Sequence, residues 1–206
     1  MFGYGRGRGF FGRSAAINLI LINVVVFAIA CIFDKFLYPN DKFLYPDRVS
    51  EFFGLTPKYV VSSPWTIFTA MFLHYGIGHI FANMFTLYFF GDFITHLVGG
   101  RNFMLIYFLG GITGNIFYIF LAPPSVTAVG ASGAIFALGG TLAVMRPKVR
   151  VIVFPIPAPM PLWIAVVGGF LILWLVPGVA WQAHLGGLLF GALAGLFFRK
   201  RETRIF

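Results

Sequence analysis

A chain of 206 residues is long enough for one domain, but 59% hydrophobic residues, 10% charged residues and a mean hydropathy of +0.90 exclude an ordinary water-soluble one. The net charge of +9, from 15 Lys and Arg against 6 Asp and Glu, would suggest nucleic acid in a soluble domain, so the placement of the charges decides its meaning. The single cysteine, Cys31, excludes an internal disulfide framework and any cysteine-based metal cluster.

A glycine-rich basic tail, residues 1–14, opens the chain, and the apolar run Ala15 to Phe33 follows. A bilayer core about 30 Å thick needs about 20 apolar residues of helix, and lipid admits only helices or closed barrels. Further runs at Ile77 to Val98, Phe103 to Ala122, Ser132 to Met145, Leu162 to Val176 and Val179 to Phe198 predict an all-α, polytopic membrane protein. The expectation is therefore six spans within residues 15–198, ending in a second basic tail, 199–206. The first run also has an alternative reading as a signal peptide, because three Arg precede it and Ala28-Ile29-Ala30 stands before Cys31. Cleavage there would leave five spans and place the N-terminus outside.

The long first loop, residues 34–76, contains a tandem repeat, Asp34-Lys-Phe-Leu-Tyr-Pro39 followed by Asp41-Lys-Phe-Leu-Tyr-Pro46. Its aromatic and charged mixture suits the membrane interface, although a local duplication without separate function is the simpler explanation. The fourth run is short, about 21 Å at the helical rise. Ala122 to Ala131, just before it, is rich in Pro and Gly and uncharged, so Ser132 is expected to begin its helix within the membrane. The Pro-rich run Pro155 to Pro161, before the fifth span, is either an ordinary connector or a hinge that admits a helix from the side.

The charges sort by loop. Arg6, Arg8 and Arg13, then Arg101, then Arg146, Lys148 and Arg150, and finally Arg199, Lys200, Arg201 and Arg204 all fall on one side. In the first loop Lys35, Lys42, Arg48 and Lys58 balance Asp34, Asp41, Asp47 and Glu51, and the third and fifth loops carry no charge. The positive-inside rule then makes both termini cytoplasmic in a multi-pass protein of the cell membrane. The basic side is expected to meet anionic membrane lipids, and no nucleic acid is needed to explain it.

Polar groups inside spans are costly and are functional hypotheses by default. Asp92 and His96 fall near the cytoplasmic end of the second span, where solvation can satisfy them. His79 and Asn83, at i and i+4, point from one helix face to one place. His184 is followed by Gly187, Gly191 and Gly195, a small-residue stripe that permits close helix approach. Ser132 stands between Gly130 and Gly133, with Phe136 and Gly140 continuing its face. Each feature alone is ordinary packing or a satisfied buried group. Together they offer a nucleophile at a helix N-terminus, a base on a close-packed neighbour and two hydrogen-bond donors.

Gly130-Ala131-Ser132-Gly133-Ala134, Ala183-His184 with Gly187 and Gly191, and His79-x-x-x-Asn83 within His74-Tyr-Gly-Ile-Gly-His79 together resemble the rhomboid family of intramembrane serine proteases. The similarity runs from about Trp65 to Phe198. It implies a six-helix rhomboid-like bundle whose Ser132 and His184 form a catalytic dyad, with Phe136 supporting the histidine. It also implies an oxyanion hole made by the Ser132 backbone N–H, His79 and Asn83, helix packing through Gly130, Gly133, Gly187 and Gly191, and transmembrane protein substrates as partners. No cofactor or metal is implied, and nothing in the resemblance fixes the oligomeric state. Family members often have Trp-Arg in the first loop and an acidic residue late in the second span, where this chain has Trp65-Thr66 and Thr95.

Other reaction classes fit less well. His-Glu-x-x-His, expected of a zinc enzyme, is absent, and Asp92 alone cannot make an aspartyl pair. His74 and His79 lie about 140° apart around a helix, a poor start for a metal site. A small transporter using His79, His96 and His184 predicts inverted-repeat similarity, which is not visible. A silent, client-binding relative would usually lack the nucleophile or base, and this chain keeps both.

Overall fold

The computed structural model describes residues 9–37, 47–153 and 156–202. They form a mostly helical bundle. Helix α1 (Gly9–Leu37) leads into a first connection that holds α2 (Asp47–Phe53), α3 (Thr66–Thr69) and two 3-10 turns, Pro57–Tyr59 and Ala70–Phe72. Then come α4 (Ile77–Val98), α5 (Gly100–Leu121), α6 (Ser132–Met145), an antiparallel hairpin of β1 (Arg150–Val153) and β2 (Ile156–Pro161), α7 (Leu162–Trp174) and α8 (Trp181–Glu202).

Among the described residues four helices are long and apolar enough to cross a membrane: α1 over Ala15–Phe36, α4, α5, and α8 over Trp181–Arg199. Helices α6 and α7 are apolar but shorter, at 14 and 13 residues. The outer faces are those of an integral membrane protein, with Leu21, Val25, Ile29 and Ile32 exposed along α1 and Ile77, Phe81, Phe85 and Phe89 along α4. Apolar stripes of that length are unsustainable in water.

The first helix runs four residues beyond its expected end, because Asp34 to Leu37 contain no Pro or Gly to stop it. Asp34 is buried there and accepts the backbone N–H groups of Arg48 and Val49 at 2.9 and 3.1 Å. Its carboxylate thus caps α2 across the loop, satisfying donors that a helix start leaves open. The rest of the tandem repeat, from Tyr38 to Pro46, lies outside the described residues.

Helix α6 is small and apolar on every side and is accordingly the buried centre of the bundle, with Gly133, Ala134, Ala137, Leu138, Gly140, Thr141 and Leu142 all buried. Helix α8 lies against it at nearly backbone contact. A Cβ on Gly187 would fall on the Gly133 carbonyl, one on Gly191 on the Ala137 carbonyl, and one on Gly195 within 2.8 Å of the Thr141 carbonyl oxygen. The stripe read in the sequence is therefore a seam, in which absent side chains let two backbones meet. Thr141 tightens it, since its hydroxyl lies 2.9 Å from the Ala137 oxygen on its own helix and 3.0 Å from the Gly191 oxygen on α8. From the other side α5 offers Gly110 and Gly114, seated against Ala137 and the Ala183 carbonyl.

The connection between α5 and α6 is held from several directions. Leu55 and Ala128 form a backbone bridge with two 2.9 Å hydrogen bonds, and Thr56 and Thr127 share a 2.8 Å hydroxyl contact. Tyr75 and Tyr118 donate their phenolic O–H groups to the carbonyls of Thr127 and Val126. The Gly130 N–H donates to the Ala70 carbonyl at 2.8 Å. The segment entering Ser132 is thus fastened to the first loop. That loop is anchored by Thr66 to Ser63, Thr69 to Phe53, and Asn115 of α5 to Ile67.

Candidate active site

Ser132 is the first residue of α6 and His184 lies in the first turn of α8. The seam between those helices brings them together: His184 Nε2 and Ser132 Oγ are 2.7 Å apart, within reach of proton transfer. His184 is buried, and its Nδ1 has no partner among the described residues. The other side of the imidazole is filled by the Phe136 ring, stacked at 4.6 Å between centroids and 26° between planes. Phe136 in turn meets Phe170 of α7 edge-on at 6.1 Å. Ring stacking therefore holds the imidazole plane where a carboxylate bond holds it in a Ser-His-Asp triad.

The residue before the histidine is clamped as well. The Ala183 carbonyl is wedged between α5 and α6, since a Cβ on Gly114 would come within 2.5 Å of its oxygen and one on Gly133 within 3.3 Å. Gly130 supplies the remaining room. Its φ of +133° is a conformation that side chains disfavour, and a Cβ there would sit 3.0 Å from His79 Nε2 and 3.5 Å from Ser132 Oγ. His79 and Ser132 thus face one small space across a bare backbone.

The Tyr75 N–H donates to His79 Nδ1 at 3.4 Å, which makes Nδ1 the acceptor and leaves the proton on Nε2, the atom facing that space. Asn83 is buried on the same helix and donates one amide N–H to the His79 carbonyl at 2.9 Å, leaving its second N–H for another acceptor. The Ser132 N–H belongs to the first turn of α6, where donors have no intrahelical partner. The structure therefore brings Ser132, His184, Phe136, Gly130 and His79 to one place, and ties Asn83 to it through the His79 carbonyl. Asp92 and His96 pair with each other at 3.6 Å near the end of α4.

His74, read in the sequence as part of a motif and as pointing away from His79 around one helix, instead precedes α4 and is fully buried beside this group, its ring 5.0 Å from that of His79. Burial, reinforced by the neighbouring His79 ring, pushes its pKa down from 6.5 to about 3. The folded protein holds His74 neutral while the unfolded chain takes up a proton below about pH 6.5. Stability is thus complete above that pH and is lost as the pH falls towards 3, by up to about 1.4 kcal/mol per pH unit. The unfolding midpoint in detergent should fall over this range in the wild type and less steeply in His74→Gln; parallel pH profiles would remove His74 from the account.

Compared with known proteins, residues 61–201 match the rhomboid domain. The chain is similar to Rhomboid protein 1, mitochondrial, of Saccharomyces cerevisiae, at 28% identity over 165 residues, 74% of this chain and 47% of that protein. It is similar to RHOMBOID-like protein 12, mitochondrial, of Arabidopsis thaliana, at 28% identity over 218 residues, 96% of this chain and 62% of that protein. It is also similar to Rhomboid protease GluP of Bacillus subtilis, at 34% identity over 132 residues, 63% of this chain and 25% of that protein. The chain thus spans less than two thirds of the length of each of these relatives.

Proposed function

Because this chain belongs to the rhomboid family, we propose that it is an intramembrane serine endopeptidase that cleaves transmembrane segments of other membrane proteins through Ser132 and His184. The observation that carries this reading is the 2.7 Å contact between Ser132 Oγ and His184 Nε2, with Phe136 stacked on the imidazole.

In the reaction Ser132 Oγ attacks the scissile carbonyl carbon while its proton passes to His184 Nε2. The negative charge that develops on the carbonyl oxygen is met by the Ser132 N–H, the His79 Nε2–H and the free Asn83 amide N–H. Collapse breaks the C–N bond, and the imidazolium returns its proton to the departing amine. Water, deprotonated by His184, then attacks the acyl ester; the bond from the acyl carbon to Ser132 Oγ breaks, the acid product leaves, and the imidazolium returns its proton to Oγ. Phe136 keeps the imidazole in plane through all four proton transfers.

The topology that serves this chemistry is six spans, with α6 starting inside the membrane and both termini on the side where Lys and Arg gather, the cytoplasmic face of a cell membrane. The uncharged connections before α6 and α8 lie on the opposite face, where the site opens to water and to an unwound substrate strand. Membrane lipids are the standing environment, and no nucleic acid takes part.

The test is cleavage of a membrane-embedded model substrate by the purified full chain in detergent or vesicles, with the fragments identified by mass. Two fragments meeting within the substrate's membrane segment support the reading. A folded protein that binds the helix and leaves it whole would instead make the chain a silent client-binding relative. Within this assay Asn83→Ala should lower turnover by about 10² to 10³, the usual cost of one oxyanion donor, with little change in KM. Unchanged turnover would remove Asn83 from the oxyanion hole.

A further inference from the structure

The β1–β2 hairpin has no part in the site described above, yet its composition and edges are specific. Both of its ends are tied to apolar helices, α6 through a short turn and α7 directly, where the Leu162 N–H donates to the Val149 carbonyl at 2.8 Å. The two faces of β1 differ. Val151 packs against the helical core, while Ile152 points the other way and is 68% exposed. Val153, Ile156 and Val149 add exposed apolar surface beside it.

Residues 146–161 carry Arg146, Lys148 and Arg150 and no acidic residue, and Lys148 and Arg150 are exposed. Pro157, Pro159 and Pro161 alternate along β2. Met160 is paired with Val151, and Leu162 bonds back to Val149, so Pro161 directs its nitrogen to the free edge, while Pro157 and Pro159 stand in the bulged stretch opposite Ile152, between the Val151–Met160 and Val153–Ile156 pairs. Three of the six residues of β2 thus have no backbone N–H to offer, and the bulge breaks the regular edge that the others would present.

Prolines and a bulge make such an edge a poor template for a partner strand. It is tolerated next to lipid, where an open N–H is costly. An exposed apolar face, a basic root and an edge blunted by prolines, all held at the ends of apolar helices, select one occupant. We propose that the hairpin docks into the headgroup layer of an anionic leaflet, with Ile152, Val153 and Ile156 entering the acyl boundary and Lys148 and Arg150 contacting lipid phosphates. The proposal requires an integral membrane protein and is independent of the peptidase reading.

The test uses the full chain with Cys31→Ser, which removes the only cysteine, and Ile152→Cys carrying a nitroxide. It is reconstituted into vesicles of phosphatidylcholine alone or mixed with phosphatidylglycerol, and its collisions with lipid-soluble oxygen and with a water-soluble nickel chelate are compared. Oxygen should dominate in the mixed vesicles. The oxygen-to-nickel ratio should fall several-fold when Lys148→Glu and Arg150→Glu are added, with Lys148→Gln and Arg150→Gln intermediate. Circular dichroism and the elution profile of each variant check that the bundle is intact. Nickel-dominated collisions in both vesicle types would overturn the proposal. So would a ratio indifferent to lipid charge and to charge reversal, or spin–spin broadening showing that a second copy covers the hairpin.

Discussion

Ser132→Ala should abolish peptide-bond cleavage, lowering kcat by at least about 10³-fold while the protein remains folded and still binds substrate. The size of the effect follows from the site's construction. The proposed attacking oxygen, Ser132 Oγ, lies 2.7 Å from the only base that contacts it in the described structure, His184. Water admitted in place of the hydroxyl would lack both the covalent intermediate and the positioning of α6. His184→Ala should give a similar loss, and the double variant little more than either alone, because nucleophile and base act as a unit. Ser132→Ala removes a single hydroxyl and leaves the glycine–carbonyl contacts of the α6–α8 seam in place. A thermal midpoint close to wild type should therefore accompany the lost activity. Cleavage that survived Ser132→Ala would remove the nucleophile from the account.

Gly191→Val should disable the protein by a different route. The three atoms nearest a Cβ on Gly191 all belong to the Ala137 backbone, and backbone in a packed central helix cannot turn aside as a side chain can. Overpacking of this kind usually costs about 1 to 3 kcal/mol, and a β-branched residue adds two methyl groups beyond the first clash. Relief requires α8 to move outward, carrying His184 away from Ser132. A displacement of about 1 Å at reacting groups can cost about 10² in rate. The thermal midpoint and turnover should therefore fall together. Gly168→Ala and Gly169→Ala in α7 are the matched controls, since a Cβ at either position meets nothing within 4 Å. They should be neutral or slightly stabilising through better helix propensity. An active, stable Gly191→Val would show that the seam does not position the site.

Much of this arrangement is legible in the sequence because its signals are local and periodic. Unbroken apolar runs mark the long helices, and the four-residue spacing of Gly187, Gly191 and Gly195 marks the face of α8 that meets α6. Ser132 and His184, 52 residues apart, are linked only because that stripe and the small residues around Ser132 predict one close contact. Gly110 and Gly114 carry the same kind of signal on α5, but several partners would satisfy it, so their seat against Ala137 and Ala183 appears only in three dimensions. The hairpin is hidden for another reason. Its prolines read as breakers in a one-dimensional pattern, and their alternation acquires meaning only once β1 is seen along one edge. The backbone bridge from Leu55 to Ala128 and the capping of α2 by the Asp34 carboxylate rest on long-range hydrogen bonds, which no periodicity encodes. The excess of positive charge is likewise distributed along the chain, and becomes a statement about sidedness only when the helices divide it.

The most direct measurement of the central claim is the site of covalent capture by a fluorophosphonate. Such a reagent is attacked at phosphorus by an activated serine oxygen, with fluoride leaving and the serine proton passing to the neighbouring base. With the folded full chain, peptide mass mapping should locate a single phosphonyl adduct on Ser132, formed in step with the loss of cleavage and absent in folded His184→Ala. Cleavage that persists with Ser132 fully modified, or an adduct on another residue that tracks the loss of activity, would contradict it.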